Sequence, residues 1–128
     1  MTPSGRVDGL AHLKFRAHLD SRGALVRTFD ELVMNAEGVE FSPNYALTSI
    51  NPQTGTLRGM HFQRGNSAEA KIITCVTGAV HNVTVDIRRN STTYLSAEVN
   101  VLRGGDGNAI LVPPGCANGW MTLEPDTI

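Results

Sequence analysis

A chain of 128 residues and 13.8 kDa can bury one hydrophobic core but not two, so residues 1–128 form a single domain. Charged residues are 18% of the chain and the formal net charge is -1, which leaves no broad basic surface for nucleic acid, and no window is apolar enough to span a bilayer. With no signal-peptide core at the N-terminus and only Cys75 and Cys116, the expected compartment is a reducing cytoplasm, although a disulfide between the two thiols stays open.

Thirteen glycines and six prolines cut the chain into short pieces, and between the cuts apolar residues alternate with period two. Strands are predicted near Leu13 to Ala17, Ala24 to Phe29, Asn44 to Ile50, Thr56 to Phe62, Lys71 to Thr77, Ala79 to Ile87, Leu95 to Val101, Ala109 to Val112 and Gly119 to Leu123. One helix is predicted, Asp30 to Ala36, capped by Asp30 and offering Leu32, Val33 and Ala36 as its apolar face. Many short strands between glycine turns predict an all-β sandwich or jelly roll.

Alternation also sorts the polar residues by face. Leu57, Gly59, His61 and Gln63 share one face of their strand, and strict parity does not seat Arg58 with His61. Lys71 lies among isoleucines and a valine, where an unpaired ammonium is costly, so it calls for an anion: Asp86 or a ligand. Asn82, Thr84, Asp86 and Arg88 share a face, and the opposite set, Val83, Val85 and Ile87, is expected to pack in the core.

The stretches Gly55-Thr-Leu-Arg-Gly-Met-His61-Phe-Gln63 and Gly107-Asn-Ala-Ile-Leu-Val-Pro113-Pro-Gly115-Cys-Ala-Asn118 resemble the two signature motifs of the cupin jelly-roll β-barrel. A metal-binding cupin would place histidines at positions 61, 63 and 118, and here one imidazole stands with two carboxamides, which are poor ligands for a transition metal. The expected site is therefore metal-independent and without a cofactor, with His61 equipped for acid–base chemistry.

Within the cupins, an ordered series of segments resembles the dTDP-4-dehydrorhamnose 3,5-epimerase family of nucleotide-sugar enzymes. They are Asp20-Ser-Arg22-Gly23, Arg27-Thr-Phe29, Asn44, GTLRGMHFQ, Lys71, VTVDIRRNSTTY from Val83, Asn100 and VPPGCANGW from Val112. The resemblance implies an isomerase in which His61 removes a proton beside the keto group of a nucleotide-linked 4-keto-6-deoxyhexose, at carbon 3, carbon 5 or both. It further implies that Lys71 stabilises the enolate and Asp86 orients Lys71. Arg22 and Arg58 would bind the diphosphate, with Asn44, Gln63 and Asn118 also lining the substrate pocket. Asn118 stands where the family usually has a second histidine. The resemblance also implies a C-terminal part, with a tyrosine acid and an aspartate partner for the catalytic histidine, that these 128 residues do not contain.

The implied partners are the nucleotide-diphosphate sugar and a second copy of the chain. Strands near Leu13 and Ala24 are the edges expected to pair in a strand-exchanged homodimer. Neither nucleic acid nor membrane is an expected partner. Two other functions compete: a sugar-nucleotide-binding cupin without turnover, and a sugar 3,4-ketoisomerase. His12, His18 and His81 match no family site and read as structural, and Cys116 reads as a buried thiol rather than a nucleophile.

Overall fold

The computed structural model describes residues 2–3, 6–36, 38–39 and 41–128. Its strands are β1 (Thr2–Pro3), β2 (Ala11–Lys14), β3 (Ala17–Asp20), β4 (Gly23–Val26), β5 (Leu57–His61), β6 (Lys71–Thr74), β7 (Ala79–Asp86), β8 (Ala97–Arg103), β9 (Asn108–Val112) and β10 (Cys116–Thr122). An α-helix, α1 (Glu31–Ala36), follows β4, and a 3-10 turn spans Gly65–Ser67. Two four-stranded antiparallel sheets, ordered β1-β2-β9-β6 and β5-β10-β7-β8, face one another as a jelly roll, and β3 and β4 pair as a separate hairpin. Among the described residues no helix is long and apolar enough to cross a membrane.

The space between the sheets is filled at one end by Val7, Leu10, Cys75, Val80, Leu102, Ile110, Val112 and Cys116, with Ile73 and Trp120 packed against them. A second cluster, Leu13, Phe15, Met34, Val39 and Ala109, covers the opposite face of the first sheet. Each Val, Leu, Ile, Phe or Met among them contributes roughly 1.5–3 kcal/mol by leaving water. The helix cap is as expected: Asp30 Oδ1 accepts from the backbone N–H groups of Leu32 (3.1 Å) and Val33 (3.2 Å). The helix face is not. Leu32, Val33 and Ala36 are exposed, and Met34 alone is buried, because the six-residue helix lies over the sheet by one side chain.

Three further expectations are corrected. Residues 44–50 form no strand and find no sheet partner among the described residues, so Tyr45, Leu47 and Ile50 are exposed. The predicted strand over Leu13 to Ala17 divides into β2 and β3, and β2 is not an edge, since it pairs with both β1 and β9. On β7 the alternation holds but is inverted: Val80, Asn82, Thr84 and Asp86 are buried, while His81, Val83 and Val85 are half-buried. The barrel interior is therefore apolar at one end and polar along the middle of the second sheet.

Asp86 can be buried because its carboxylate is fully engaged. Arg88 donates to it through Nε (2.9 Å) and Nη2 (2.8 Å), and Ser91 Oγ (2.5 Å) and Thr93 Oγ1 (2.6 Å) add two hydroxyls. Arg88 Nη2 also reaches the Asp8 carbonyl, and Asp8 N–H donates to Thr93 Oγ1, so the cluster ties the N-terminal segment to the corner after β7. The guanidinium and hydroxyl donors outweigh burial and hold the Asp86 carboxyl well below the usual carboxylate range. A depressed folded pKa contributes stability that is present above the unfolded value near 4 and is lost as pH falls toward the folded value. Asp86→Asn is therefore expected to cost about 3 kcal/mol at pH 7, with the gap to wild type narrowing below about pH 4, as measured by urea unfolding at a series of pH values. A gap independent of pH would contradict the assignment.

Candidate active site

The site is organised by one irregularity in the pairing of β5 with β10. Asn118 opposes His61, Trp120 opposes Arg58, and Met121 opposes Leu57. Between the first two pairs β5 advances by three residues and β10 by two, a β-bulge with one extra residue on β5. The extra residue reverses the parity of the strand. Leu57 and Met121 stay on the outer face, whereas Arg58 and His61 both come to the inner face with Trp120 and Asn118. The parity conflict in the sequence is thus resolved by the backbone.

Glycine makes the bulge possible. Gly59 has φ +102°, and a Cβ there would lie 2.8 Å from Asn118 O and 2.8 Å from Gly119 Cα. Gly119 is equally closed in, with Arg58 O 2.9 Å from its would-be Cβ. Two glycines let the backbones approach where the register slips.

Arg58 is aimed by a short relay. Its Nε donates to Asn51 Oδ1 (2.7 Å), and Asn51, itself buried, is fixed by backbone and side-chain hydrogen bonds to Thr127. The Nη groups of Arg58 hold no partner among the described residues, which leaves the fork free for an anion. His61 is exposed, and its imidazole makes no hydrogen bond with a described residue.

Lys71 belongs to the opposing sheet. It shares its face of β6 with Ile73, which packs into the core between the sheets, and it opposes Val112 of the same core. Lys71 and His61 thus look into the barrel from facing walls. The expectation that Asp86 orients Lys71 is corrected: every donor on the Asp86 carboxylate comes from Arg88, Ser91 or Thr93, and the Lys71 ammonium has no hydrogen bond or ion pair among the described residues.

The remaining predicted residues divide. Asn118 lies beside His61 and is buried, its Nδ2 donating to Asn82 Oδ1 (3.1 Å), Val83 O (3.0 Å) and Thr84 Oγ1 (3.0 Å). Gln63 lies past the end of β5, and its amide nitrogen faces Glu69 Oε1 (3.0 Å) and Ser67 O (2.8 Å). Arg22 sits apart, on the turn of the β3–β4 hairpin, with its guanidinium on Asp20 (2.6 Å) and 88% of its side chain exposed. Asn44 is exposed in a bend.

Sequence reasoning missed three features. Glu69 accepts both Gln63 and the Tyr45 hydroxyl (2.8 Å), and this bond to a carboxylate raises the phenol pKa, tying Tyr45 to the loop after His61. Asn82, completely buried, is the interior neighbour of Asn118. His12 of β2 bonds across the barrel to Glu98 of β8 (2.8 Å), and nothing but the alternation of β2 and β8 signals it. The interior is costly in places, since Asn82 Nδ2, Asn100 Nδ2 and Glu98 Oε2 are buried without a partner among the described residues. Cys75 and Cys116 are free and buried, and burial pushes the Cys116 thiol up to about 11, so it is no nucleophile at neutral pH. Among the described residues no three His, Cys, Asp or Glu side chains gather to hold a metal.

If the bulge is what seats Arg58 with His61, Gly59→Ala is expected to destabilise the fold by about 2–3 kcal/mol in denaturant unfolding, through both the positive φ and the close approach. Gly55→Ala is the control, because Gly55 also has a positive φ (+79°) but nothing within 4 Å of a Cβ, and should cost about 1 kcal/mol. Equal costs would remove the close approach from the account.

Residues 4–128 match the family model described as dTDP-4-dehydrorhamnose 3,5-epimerase. Curated relatives with that name include one from Methanothermobacter thermautotrophicus, 32% identical over 95% of this chain and 65% of its own length. Another, from Escherichia coli, is 34% identical over 92% of this chain and 64% of its own. A third, from Sinorhizobium fredii, is 42% identical over 62% of this chain and 41% of its own length. The chain therefore spans less than two thirds of the length of these relatives. Among solved structures, the dTDP-4-dehydrorhamnose 3,5-epimerase of Bacillus anthracis with TDP and PPi bound superposes with a TM-score of 0.90 at 32% identity, covering 98% of this chain and 71% of that one. A 3'-monoepimerase from Streptomyces bikiniensis in complex with dTDP-quinovose superposes with a TM-score of 0.86 at 27% identity, covering 98% and 63%.

Proposed function

Because the chain belongs to the dTDP-4-dehydrorhamnose 3,5-epimerase family, we propose that it binds a dTDP-linked 4-keto-6-deoxyhexose inside the barrel and epimerises it at carbon 3, carbon 5 or both. The observation that carries this reading is the pairing of Arg58 and His61 on one inner wall, facing Lys71 on the other. In the proposed reaction the ketone acidifies the carbons beside it, and His61 takes a proton from one of them. An imidazole is suited to this because its ordinary titration lies near neutrality. The negative charge then moves to the keto oxygen, where the Lys71 ammonium stabilises it. The inversion is completed when the carbon takes a proton on its opposite face, from solvent or from the tyrosine acid that the family resemblance implies, while His61 returns its proton to solvent. Lys71 fits that role physically, since an ammonium on an apolar wall without an anion is costly and a bound enolate supplies the anion. The Arg58 fork holds the diphosphate from the Asn51 relay. Asp86 has no catalytic part here and acts through the corner it ties together.

The competing reading, a binder without turnover, is favoured by one residue: Asn118 is an amide whose nitrogen is already spent on three acceptors, so it moves no proton. Incubation with the dTDP-linked 4-keto sugar in deuterated water separates the two. Deuterium is expected at carbon 3 or carbon 5 with wild type and is abolished by His61→Ala. Arg58→Ala is expected to weaken binding by about 1.5–3 kcal/mol through the lost charge-assisted contact. Tight binding with no exchange would establish the binder, and migration of the keto group would establish the ketoisomerase.

We also propose that the chain is a homodimer in solution. The outer face of the β5-β10-β7-β8 sheet carries Leu57, Met60, Val99, Val101 and Met121, all exposed, and a cleft of about 270 Å³ runs between Leu57, Met60, His81, Val83 and Met121. The β3–β4 hairpin adds exposed Leu19 and Leu25 and has both edges open among the described residues. Apolar area of this kind on a sheet with a free hairpin beside it fits burial against a second copy. Sedimentation at micromolar concentration should give a dimer, and a monomer would contradict the proposal.

A further inference from the structure

The orientation of the Asn118 amide defines the polarity of the wall beside His61. Three oxygens, Asn82 Oδ1, Val83 O and Thr84 Oγ1, lie within 3.1 Å of Asn118 Nδ2. Turning the amide over would set its oxygen against two carbonyl oxygens, so the nitrogen is fixed toward β7. The amide is planar, so its oxygen is turned away from those three acceptors, and His61 of β5 is the cross-strand neighbour of Asn118. Asn118 is 3% exposed, yet no described residue donates to its Oδ1, and Oδ1 is not among the sealed orphan atoms of the interior. A buried side chain thus presents one unused acceptor at the wall that His61 lines.

We propose that Asn118 Oδ1 is a specificity-determining acceptor that takes a hydrogen bond from a hydroxyl of the bound sugar. This rests on the reading of the barrel as a sugar-nucleotide site and adds the sense of the contact. A locked amide oxygen accepts and cannot donate. It therefore selects a hydroxyl and opposes a keto or phosphate oxygen, which would bring acceptor against acceptor. It carries no proton at neutral pH, so it discriminates among sugars without taking part in proton transfer. Asn82 and Thr84 are positioning residues in this account, because they hold the nitrogen and thereby aim the oxygen.

Calorimetric titration of the protein with dTDP alone, with a dTDP-linked 6-deoxyhexose, and with the same sugar lacking one ring hydroxyl at a time tests the proposal. For wild type, loss of one particular hydroxyl is expected to weaken binding about tenfold, the effect of leaving one buried acceptor unpaired. Asn118→Leu should weaken the 6-deoxyhexose by a similar factor, leave dTDP unchanged, and abolish the distinction between the hydroxylated and deoxy sugars. If Asn118→Leu does not fold, Asn118→Ser, which opens the wall without an oxygen at that reach, serves in its place. Equal loss for dTDP and for the sugar would reduce Asn118 to a structural role and overturn the proposal. So would wild type that binds dTDP but ranks every deoxy sugar with the parent. Wild type that binds neither dTDP nor the sugar would overturn the underlying reading of the barrel, and the acceptor role with it.

Discussion

One extra residue on β5 decides what this barrel can do. Without the bulge opposite Asn118 and Trp120, strand alternation would put Arg58 and His61 on opposite faces, one toward the interior and one toward the apolar outer surface. With it, the Arg58 guanidinium and the imidazole share a wall. The bulge in turn depends on the contact of Gly59 with Gly119, where any Cβ would strike backbone. The close approach of two strand backbones thus sets the register on which the site is built.

The rest of the interior is divided accordingly. Apolar side chains from both sheets close one end, and Lys71 extends from that apolar wall with no counter-charge among the described residues. Facing it, the second sheet offers Asn118, Asn82, Thr84 and Asn100 where an ordinary core would place leucine or valine. Partly satisfied buried amides reduce stability, by about 1–3 kcal/mol for each orphaned group. Keeping them fits a cavity shaped for a polar ligand. The stability they forgo is offset by structures such as the Asp86 cluster, in which every buried charge is matched.

Much of this was legible in the sequence. The period of two located eight of the ten strands to within a few residues, because exposed and buried positions alternate whatever fills them. What alternation cannot tell is which set faces inward. On β7 the valines were expected inside, and the polar set Asn82, Thr84 and Asp86 is buried instead, because Asn82 and Thr84 meet Asn118 of β10 and Asp86 is met by donors from the corner that follows its own strand. The same limit explains Asp86, whose part with Lys71 followed from resemblance, while its partners Arg88, Ser91 and Thr93 lie in the very segment that carried the resemblance. Residues 44–50 read as a strand because their apolar residues alternate, but a strand needs a neighbour, and among the described residues none is present. His61, Arg58, Lys71 and Asn118 were singled out by motif. That Arg58 shares a face with His61 required the bulge, which two glycines hinted at and only the register revealed.

The most direct test of the central claim is a crystal structure of the chain with dTDP. The account predicts the diphosphate on the Arg58 guanidinium, with His61 on the same wall, Asn118 beside it and Lys71 facing it across the cavity. A structure in which β5 pairs with β10 without the extra residue, turning His61 outward beside Val83 and Met121 while Arg58 points inward, would contradict it.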